Sequence, residues 1–202
     1  MNTNKPDWLP PHCPNPDCRF HGRGGQGTVL ASISLAKAFF EAGWEVQTFP
    51  NFGVERRGAP VEAYLRIDHQ KIRLRSGVYS PDHVVVMDAK LTTVIDVARG
   101  LKTGGWILIN SPAAPTADLF SNGFRPAWVD ATAIALAHRL GTPTHPIINT
   151  AMMGAFARIM QMPEMEHIEA AIRREVPAKK EENVAAARDA YQQVQFRPAE
   201  ES

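Results

Sequence analysis

A turn with four glycines in six residues lies near the start of the chain and constrains its fold more than any other feature. The run reads H-G-R-G-G-Q-G over residues 21–27, and we call residues 22–27 the glycine turn. Arg19 and Phe20 can close a strand before it. After it, over residues 28–42, apolar side chains recur at the helical spacing, at Val29, Ile33, Ala36 and Phe40. A strand, a glycine turn and a helix together present backbone N–H groups to an anion. We therefore predict a contact site made of Gly22, Arg23, Gly24, Gly25, Gln26 and Gly27.

The spacing of the glycines also matches the dinucleotide fingerprint G-x-G-x-x-G, which is weak when it stands alone. The fingerprint needs an acidic residue at the end of the second strand to bind a ribose hydroxyl. Here the second predicted strand, residues 44–49, ends in Gln47-Thr48-Phe49, and its one acid, Glu45, is near its beginning. A stand-alone nucleotide-binding oxidoreductase is therefore an alternative rather than the main interpretation.

Alternating strand and helix patterns run through the rest of the chain. Buried strands are predicted at residues 83–87 and 106–110, and a short edge strand at 128–130. Helices are predicted at 91–101, 131–140, 151–161, 165–175 and 180–194, and a β-hairpin at 61–68 with 71–75. This order predicts an α/β fold: a Rossmann-like, doubly wound, mostly parallel sheet with an antiparallel hairpin and C-terminal helices. The glycine turn, Asp88 and Asn110 would then share the rim at the carboxyl ends of the strands.

Two local details follow from helix capping. Asp88 is expected to cap the helix that follows it, in preference to a catalytic role, and Asn149-Thr150 can cap the helix at 151–161. No nucleophile stands near a base in the sequence, so no catalytic residue is predicted.

Proline and cysteine define the predicted domain limits. Residues 1–18 contain five prolines and read as an N-terminal arm, residues 19–195 as a single domain, and residues 196–202 as a frayed tail. Cys13 and Cys18 lie close to His12 and His21, which could together ligate zinc. The C-x4-C spacing is loose and no second ligand pair follows, so a zinc-binding interaction module is the third interpretation and no metal is predicted in the first.

Charge and hydropathy exclude several classes of protein. The chain has 22 basic and 21 acidic residues, a net charge of +1, which gives no footprint for nucleic acid or for an anionic membrane. No apolar run approaches the roughly 20 residues needed to span a bilayer. The first residues lack the apolar core of a signal peptide, so a cytoplasmic protein is expected.

The loop at residues 49–60 mixes charge with aromatic residues. Glu55, Arg56 and Arg57 stand among Phe49, Phe52, two glycines and two prolines. Arginine beside aromatic residues in a constrained loop is typical of interfaces. We predict that Phe52, Glu55, Arg56 and Arg57 belong to a subunit interface.

At this point the sequence resembles a known family, the gamma subunits of the 2-oxoacid:acceptor oxidoreductases, also called the pyruvate:ferredoxin oxidoreductase family. The matching segments are residues 19–27, 49–66, 72–75, 81–82, 84–88 and 149–155, in this order, and the resemblance covers about residues 19–195. It departs from the family pattern before Arg19, where this chain has the proline-rich arm with Cys13 and Cys18.

The resemblance implies a place in a larger enzyme that oxidatively decarboxylates a 2-oxoacid to its acyl-CoA. Thiamine diphosphate with Mg²⁺, and the iron–sulfur clusters, would be held by alpha, beta and delta-type partner subunits, with none bound by this chain. Coenzyme A would be a co-substrate, and the glycine turn its contact or a partner's. Ferredoxin or an NAD-linked acceptor would take the electrons. Pyruvate, branched-chain, 2-oxoglutarate and aryl 2-oxoacids such as phenylglyoxylate all remain open as substrates.

Overall fold

A computed structural model describes residues 15–51, 59–116 and 123–197. The elements in chain order are β1 (Asp17–Arg23), α1 (Thr28–Glu41), β2 (Glu45–Asn51), β3 (Pro60–Asp68), β4 (His83–Val86), a 3-10 helix (Ala89–Thr93), β5 (Trp106–Asn110), β6 (Arg125–Val129), α2 (Ala131–Ala137), β7 (Gly141–Thr142), β8 (His145–Pro146), α3 (Asn149–Met160), α4 (Met165–Glu175), α5 (Lys180–Gln193) and β9 (Gln195–Phe196). In this part of the chain, no helix combines the length and the apolar character that crossing a membrane requires.

One seven-stranded sheet organises these elements, in the order β2-β3-β1-β4-β5-β6-β9. Strand β1 pairs in parallel with β4, β4 with β5 and β5 with β6, whereas β3 is antiparallel to both β1 and β2, and β9 is antiparallel to β6. Most strands therefore point the same way, and the predicted α/β class with a mostly parallel sheet is confirmed. The short strands β7 and β8 form a separate ribbon that the sequence did not predict.

The two faces of the sheet are covered differently. All five α-helices contribute to one large apolar cluster, in which Phe20 of β1, Phe39 of α1 and Phe156 of α3 meet ring to ring. On the other face a smaller cluster packs Val84, Val86, Ile107 and Ile109 under side chains of the segment that follows β4. We call these two the helical face and the second face.

Three predictions of secondary structure are wrong, one in the pairing of a strand and two in the type of element. Residues 71–75 form no strand, because β3 already pairs on one side with β1 and on the other with β2. The antiparallel hairpin is therefore β2 with β3. The predicted helix at 91–101 is a 3-10 helix that ends at Thr93. The Thr92 and Thr93 hydroxyls donate to the carbonyls of Ala89 and Lys90, which competes with a regular helix.

The β6 strand is longer than predicted and is not at the edge, because β9 pairs with it. Phe196, which was predicted to begin a frayed tail, lies opposite Ala127 in that pair. Its ring also contacts Trp106 edge to face, at 5.8 Å between centroids, so apolar packing holds the end of the helical region to the sheet.

Two predictions about helices also need correction. In α1 the predicted apolar stripe included Phe40, but Phe39 is the buried ring and Phe40 is exposed. The helix turns its small residues Ala31 and Ala38 inwards with Phe39, so the true buried side is set by close packing against the sheet. Helix α3 begins at Asn149, so the residues that were predicted to cap it, Asn149 and Thr150, are inside the helix. No side chain caps this helix.

Candidate functional site

The glycine turn joins β1 to α1, and its glycines are required for separate reasons. Gly25 and Gly27 have φ angles of 93° and 75°, in the left-handed region that favours glycine. A Cβ atom on Gly22 would lie 1.8 Å from Thr28 Oγ1. Glycine at this position therefore lets the first turn of α1 pack directly against the end of β1.

Side chains and backbone of the same chain occupy part of the turn. Gln26 Oε1 accepts a hydrogen bond from the Arg23 N–H at 2.7 Å, and the Gly24 N–H donates to the Ala59 carbonyl at 3.0 Å. These two N–H groups are therefore not available to an anion. The N–H groups at the start of α1 remain available to an anion, because no side chain caps this helix and no acidic residue lies in its first turn.

Asp88 ties the turn to the end of the neighbouring strand. Its Oδ2 atom accepts from Arg23 Nε at 2.7 Å and from Gln26 Nε2 at 3.3 Å, and its Oδ1 atom accepts from the Lys90 N–H at 2.9 Å. The predicted cap at Asp88 is confirmed, although it begins a 3-10 helix. One carboxylate thus holds together the glycine turn and the segment after β4.

Asn110 extends the same rim to β5. Its Nδ2 atom donates to the Met87 carbonyl and to Thr132 Oγ1, each at 3.1 Å. The predicted meeting of the glycine turn, Asp88 and Asn110 at the carboxyl ends of the strands is therefore confirmed. The rim is rigid because each of its polar side chains has a partner on a neighbouring element.

A group of charged and polar side chains lies on the second face, below the glycine turn, where sheets of this class usually bury aliphatic residues. Arg19 and His21 come from β1, and Glu62, Tyr64 and Arg66 from β3. We call these five residues the polar layer. All are buried except Glu62, which is half-buried.

Arg19 and His21 define the deepest part of the polar layer. Arg19 Nε donates to His21 Nε2 at 3.1 Å, so the imidazole proton is on Nδ1, which faces Glu62 Oε1 at 3.6 Å. Arg19 Nη2 donates to the carbonyls of Val97 and Arg99 at 3.1 and 2.5 Å. Burial, reinforced by the Arg19 charge, lowers the pKa of His21 to about 4, so this histidine is neutral at neutral pH.

Glu62 is the charged counterpart of that histidine. Burial alone would raise the pKa of Glu62, but hydrogen bonds from Asn51 Nδ2 at 3.2 Å and Tyr64 Oη at 2.9 Å outweigh it, and the pKa is lowered. Burial and the bond to Glu62 raise the pKa of Tyr64 to about 12. An ionised carboxylate, a neutral imidazole and a protonated phenol therefore lie together, without a nucleophile poised beside a base. Within the described residues His21 Nδ1 accepts and donates no hydrogen bond.

Several predicted site residues fall outside the described ranges, namely Phe52, Glu55, Arg56, Arg57 and Cys13. Their proposed roles stay predictions. The flanks of the loop are fixed at the rim, since Asn51 bonds Glu62 and Ala59 accepts from Gly24. Cys18 is fully buried in the helical-face cluster. Within residues 15–51, 59–116 and 123–197, no group of three or more His, Cys, Asp or Glu could hold a metal ion.

Sequence reasoning missed the polar layer. Its signal was present in two strands, because Arg19 and His21 alternate with Cys18 and Phe20, and Glu62, Tyr64 and Arg66 alternate with apolar residues of β3. The pairing of Arg19 with Tyr64 and of His21 with Glu62 across the two strands then brings these side chains together.

Comparison with known proteins gives the chain its family. The family described as Pyruvate ferredoxin/flavodoxin oxidoreductase matches residues 17–193. Pyruvate synthase subunit PorC of Methanothermobacter thermautotrophicus is 45% identical over 180 residues, which cover 89% of this chain and 96% of the relative. The Pyruvate/ketoisovalerate oxidoreductases common subunit gamma of Pyrococcus abyssi is 45% identical over 184 residues, covering 89% of this chain and 97% of the relative.

Solved structures agree with the sequence comparison. Pyruvate oxidoreductase subunit PORC from Thermotoga maritima superposes with a TM-score of 0.75 at 34% identity, covering 90% of this chain and 98% of that one. A 2-oxoglutarate:ferredoxin oxidoreductase from Magnetococcus marinus shares the fold, with a TM-score of 0.69 at 19% identity, over 88% of this chain and 30% of that one. The chain therefore belongs to the pyruvate ferredoxin/flavodoxin oxidoreductase family, as one of its gamma-type subunits.

Proposed function

We propose that this chain is a non-catalytic gamma subunit of a multi-subunit enzyme that oxidatively decarboxylates a 2-oxoacid to its acyl-CoA. Thiamine diphosphate, Mg²⁺ and iron–sulfur clusters would be held by the alpha, beta and delta-type subunits, and ferredoxin or an NAD-linked acceptor would receive the electrons. The work of this chain is to present a rigid rim to those partners and to the co-substrate.

One observation supports this role most directly: the carboxylates of the rim and of the polar layer are held by hydrogen bonds from this chain's own side chains and backbone. Asp88 accepts from Arg23, Gln26 and Lys90, and Glu62 accepts from Asn51 and Tyr64. Such networks fix geometry. They leave the chemistry to groups supplied by partner subunits.

The start of α1 is the place where this chain could meet coenzyme A. The pyrophosphate of that co-substrate is an anion, and the uncapped first turn of α1, next to the half-buried Arg23, suits an anion. The same surface suits an acidic group of a sister subunit. The relatives named for pyruvate and ketoisovalerate favour pyruvate or a branched-chain 2-oxoacid as substrate, and phenylglyoxylate is the further substrate to assay.

The test is to purify the chain alone and together with its sister subunits. We expect CoA-dependent oxidation of the 2-oxoacid, followed through reduction of a one-electron acceptor dye, by the complex and no turnover by the isolated chain. Full turnover by the isolated chain would contradict the proposal. The stand-alone nucleotide-binding alternative makes an opposite prediction, namely that millimolar NAD or NADP raises the melting temperature of the isolated chain.

A charge reversal tests the loop prediction separately. Arg56→Glu with Arg57→Glu should weaken co-purification of the sister subunits, because reversed charges at a desolvated interface oppose association. Lys180→Glu, at the exposed start of α5, is the matched control and should leave co-purification unchanged. Equal recovery of the complex from the double variant and the control would remove Arg56 and Arg57 from the interface.

A further inference from the structure

A segment without regular structure, residues 71–80, crosses the second face between β3 and β4 and exposes large apolar side chains. Leu74 is 60% exposed and Tyr79 is 74% exposed, so both are among the most exposed large apolar residues that the structure describes. Exposed tyrosine near arginine is a composition that interfaces favour over ordinary surface. We call residues 71–80 the exposed segment.

The exposed segment is strongly basic. Lys71, Arg73 and Arg75 are its charged residues, and no aspartate or glutamate occurs over residues 69–81. None of the three forms an ion pair with any residue that the structure describes. Some exposed arginines elsewhere do, since Arg173 pairs with Glu181 and Arg188 with Glu169. Three unpaired basic side chains within five residues are therefore a local concentration of positive charge.

Anchors at its C-terminal end hold the exposed segment to the sheet. Arg66 Nη2 donates to the Gly77 carbonyl at 3.2 Å, and Gly77 lies against the Tyr64 ring, where an added Cβ atom would be 3.4 Å from it. Val78 is buried. The Asp82 N–H donates to the Asp17 carbonyl at 2.7 Å. The fold thus orders in advance the end of this segment that carries Tyr79, which lowers the entropic cost of binding through that end.

The sequence of this segment has a strand pattern that the chain itself does not use. Residues 71–75 alternate lysine or arginine with Ile72 and Leu74, yet they pair with no described strand. The backbone N–H groups of residues 71–76 donate no hydrogen bond within the described ranges. Unpaired backbone donors beside exposed apolar side chains are the features that a docking partner covers.

We propose that the exposed segment is a docking surface for an acidic region of a sister subunit. Leu74 and Tyr79 would enter an apolar cleft of that subunit, and carboxylates at its rim would face Lys71, Arg73 and Arg75. This inference rests on the proposed function. It adds a contact that is separate from the glycine turn. Asp17, which anchors the exposed segment, lies five residues along β1 from Gly22, and five residues of a strand span about 17 Å.

Amide hydrogen exchange measured by mass spectrometry on the isolated chain and on the purified complex tests the proposal. The amides of residues 71–76 should exchange rapidly in the isolated chain, because they lack partners, and at least tenfold more slowly in the complex. Unchanged exchange in a complex that forms would overturn this inference alone. Slow exchange already in the isolated chain would also overturn it, and failure of any complex to form would overturn the proposed function with it.

Matched variants test the predicted partner chemistry. Arg73→Glu should weaken assembly at least tenfold, with a smaller effect at high salt, whereas Lys180→Glu should leave it unchanged. Tyr79→Ala should weaken assembly to a similar extent without the salt dependence. Because both side chains are exposed, the isolated variants should keep their melting temperature, which separates docking from folding. Normal assembly by Arg73→Glu would rule out an acidic partner surface.

Discussion

The second face of the sheet is aliphatic over β4 and β5 and polar over β1 and β3. In the aliphatic half Val84, Val86, Ile107 and Ile109 pack under Leu91 and its neighbours, and their stabilisation comes from non-directional burial. In the polar half Arg19, His21 and Tyr64 are also buried, but each must meet its partner at a defined distance. The aliphatic half therefore stabilises the fold, and the polar half fixes the relative positions of β1 and β3.

The position that the polar half fixes is that of the rim. His21 is the residue before the glycine turn, and Asn51, which bonds Glu62 and Tyr64, is the last residue of β2, at the start of the loop in which the sequence predicts an interface. A buried polar network loses much of its value when one member is missing, so it tolerates few alternative arrangements. The polar half of the second face therefore holds the rim in one geometry.

The largest effect should come from the aliphatic half. Ile107→Ala leaves a cavity in the smaller apolar cluster of the second face and should lower the free energy of unfolding by about 4 kcal/mol, measured in urea. Val94→Ala, at an exposed position, is the control and should change the free energy of unfolding by less than about 0.5 kcal/mol. A loss below about 1 kcal/mol for Ile107→Ala would mean that this half is not a packed core.

Acid should affect the polar half next. Because the folded pKa of His21 is about 4 and that of an unfolded histidine is about 6.5, the unfolded chain binds the proton first. The contribution of neutral His21 to the free energy of unfolding is complete above pH 6.5. It is lost as the pH falls to about 4, by an amount on the order of 3 kcal/mol. His83, with a pKa also lowered to about 4 by burial, adds to the same window.

Urea unfolding at several pH values measures this loss. His21→Gln should make the decline between pH 6.5 and 4 shallower, and His145→Gln, at an exposed position, should not. An identical pH profile for wild type and His21→Gln would show that His21 is not held neutral in the fold.

Removing the guanidinium of Arg19 should have a smaller effect. Arg19→Ala leaves two backbone carbonyls and His21 Nε2 without their donor and should cost about 2 kcal/mol of unfolding free energy. Arg19→Lys should recover less than half of this loss, since one ammonium cannot reproduce the fork of a guanidinium. Full recovery by lysine would mean that charge alone matters here. The pKa of His21, followed by NMR, should rise in Arg19→Ala.

The smallest effect tests the hydrogen bond at the edge of the polar layer. Tyr64→Phe removes the hydroxyl that donates to Glu62 at 2.9 Å and should cost about 1 kcal/mol. Because that bond helps to lower the pKa of Glu62, the pKa of this carboxyl should increase in the variant. A Glu62 pKa that does not move would show that Asn51 and the Arg19 charge maintain the ionised form without the tyrosine.

Features set by local pattern were predictable from the sequence. The helix at 165–175 has the predicted bounds, and the valine-rich and isoleucine-rich runs before Asp88 and Asn110 are the buried parallel strands. The glycine turn follows from positive φ at Gly25 and Gly27 and from close packing at Gly22. Each of these depends on residues near one another in the chain, so periodicity and composition suffice.

Other features failed because their cause lies far away in the chain. The strand pattern of residues 71–75 is real, but both sides of β3 are already taken by β1 and β2. The helix predicted at 91–101 does not form, because threonine hydroxyls bond the backbone and because side chains of this segment pack on the aliphatic sheet face.

The sequence alone determined the α/β class, the glycine turn and the polar alternation in two strands, since backbone sterics and side-chain periodicity are local properties. Only the tertiary structure decided that β1 lies next to β3, a pairing that brings Arg19 and His21 to Tyr64 and Glu62. It also decided that Asp88 closes the glycine turn. Strand order is chosen by the packing of the whole chain, so a buried charge cannot be assigned its partner until that packing is known.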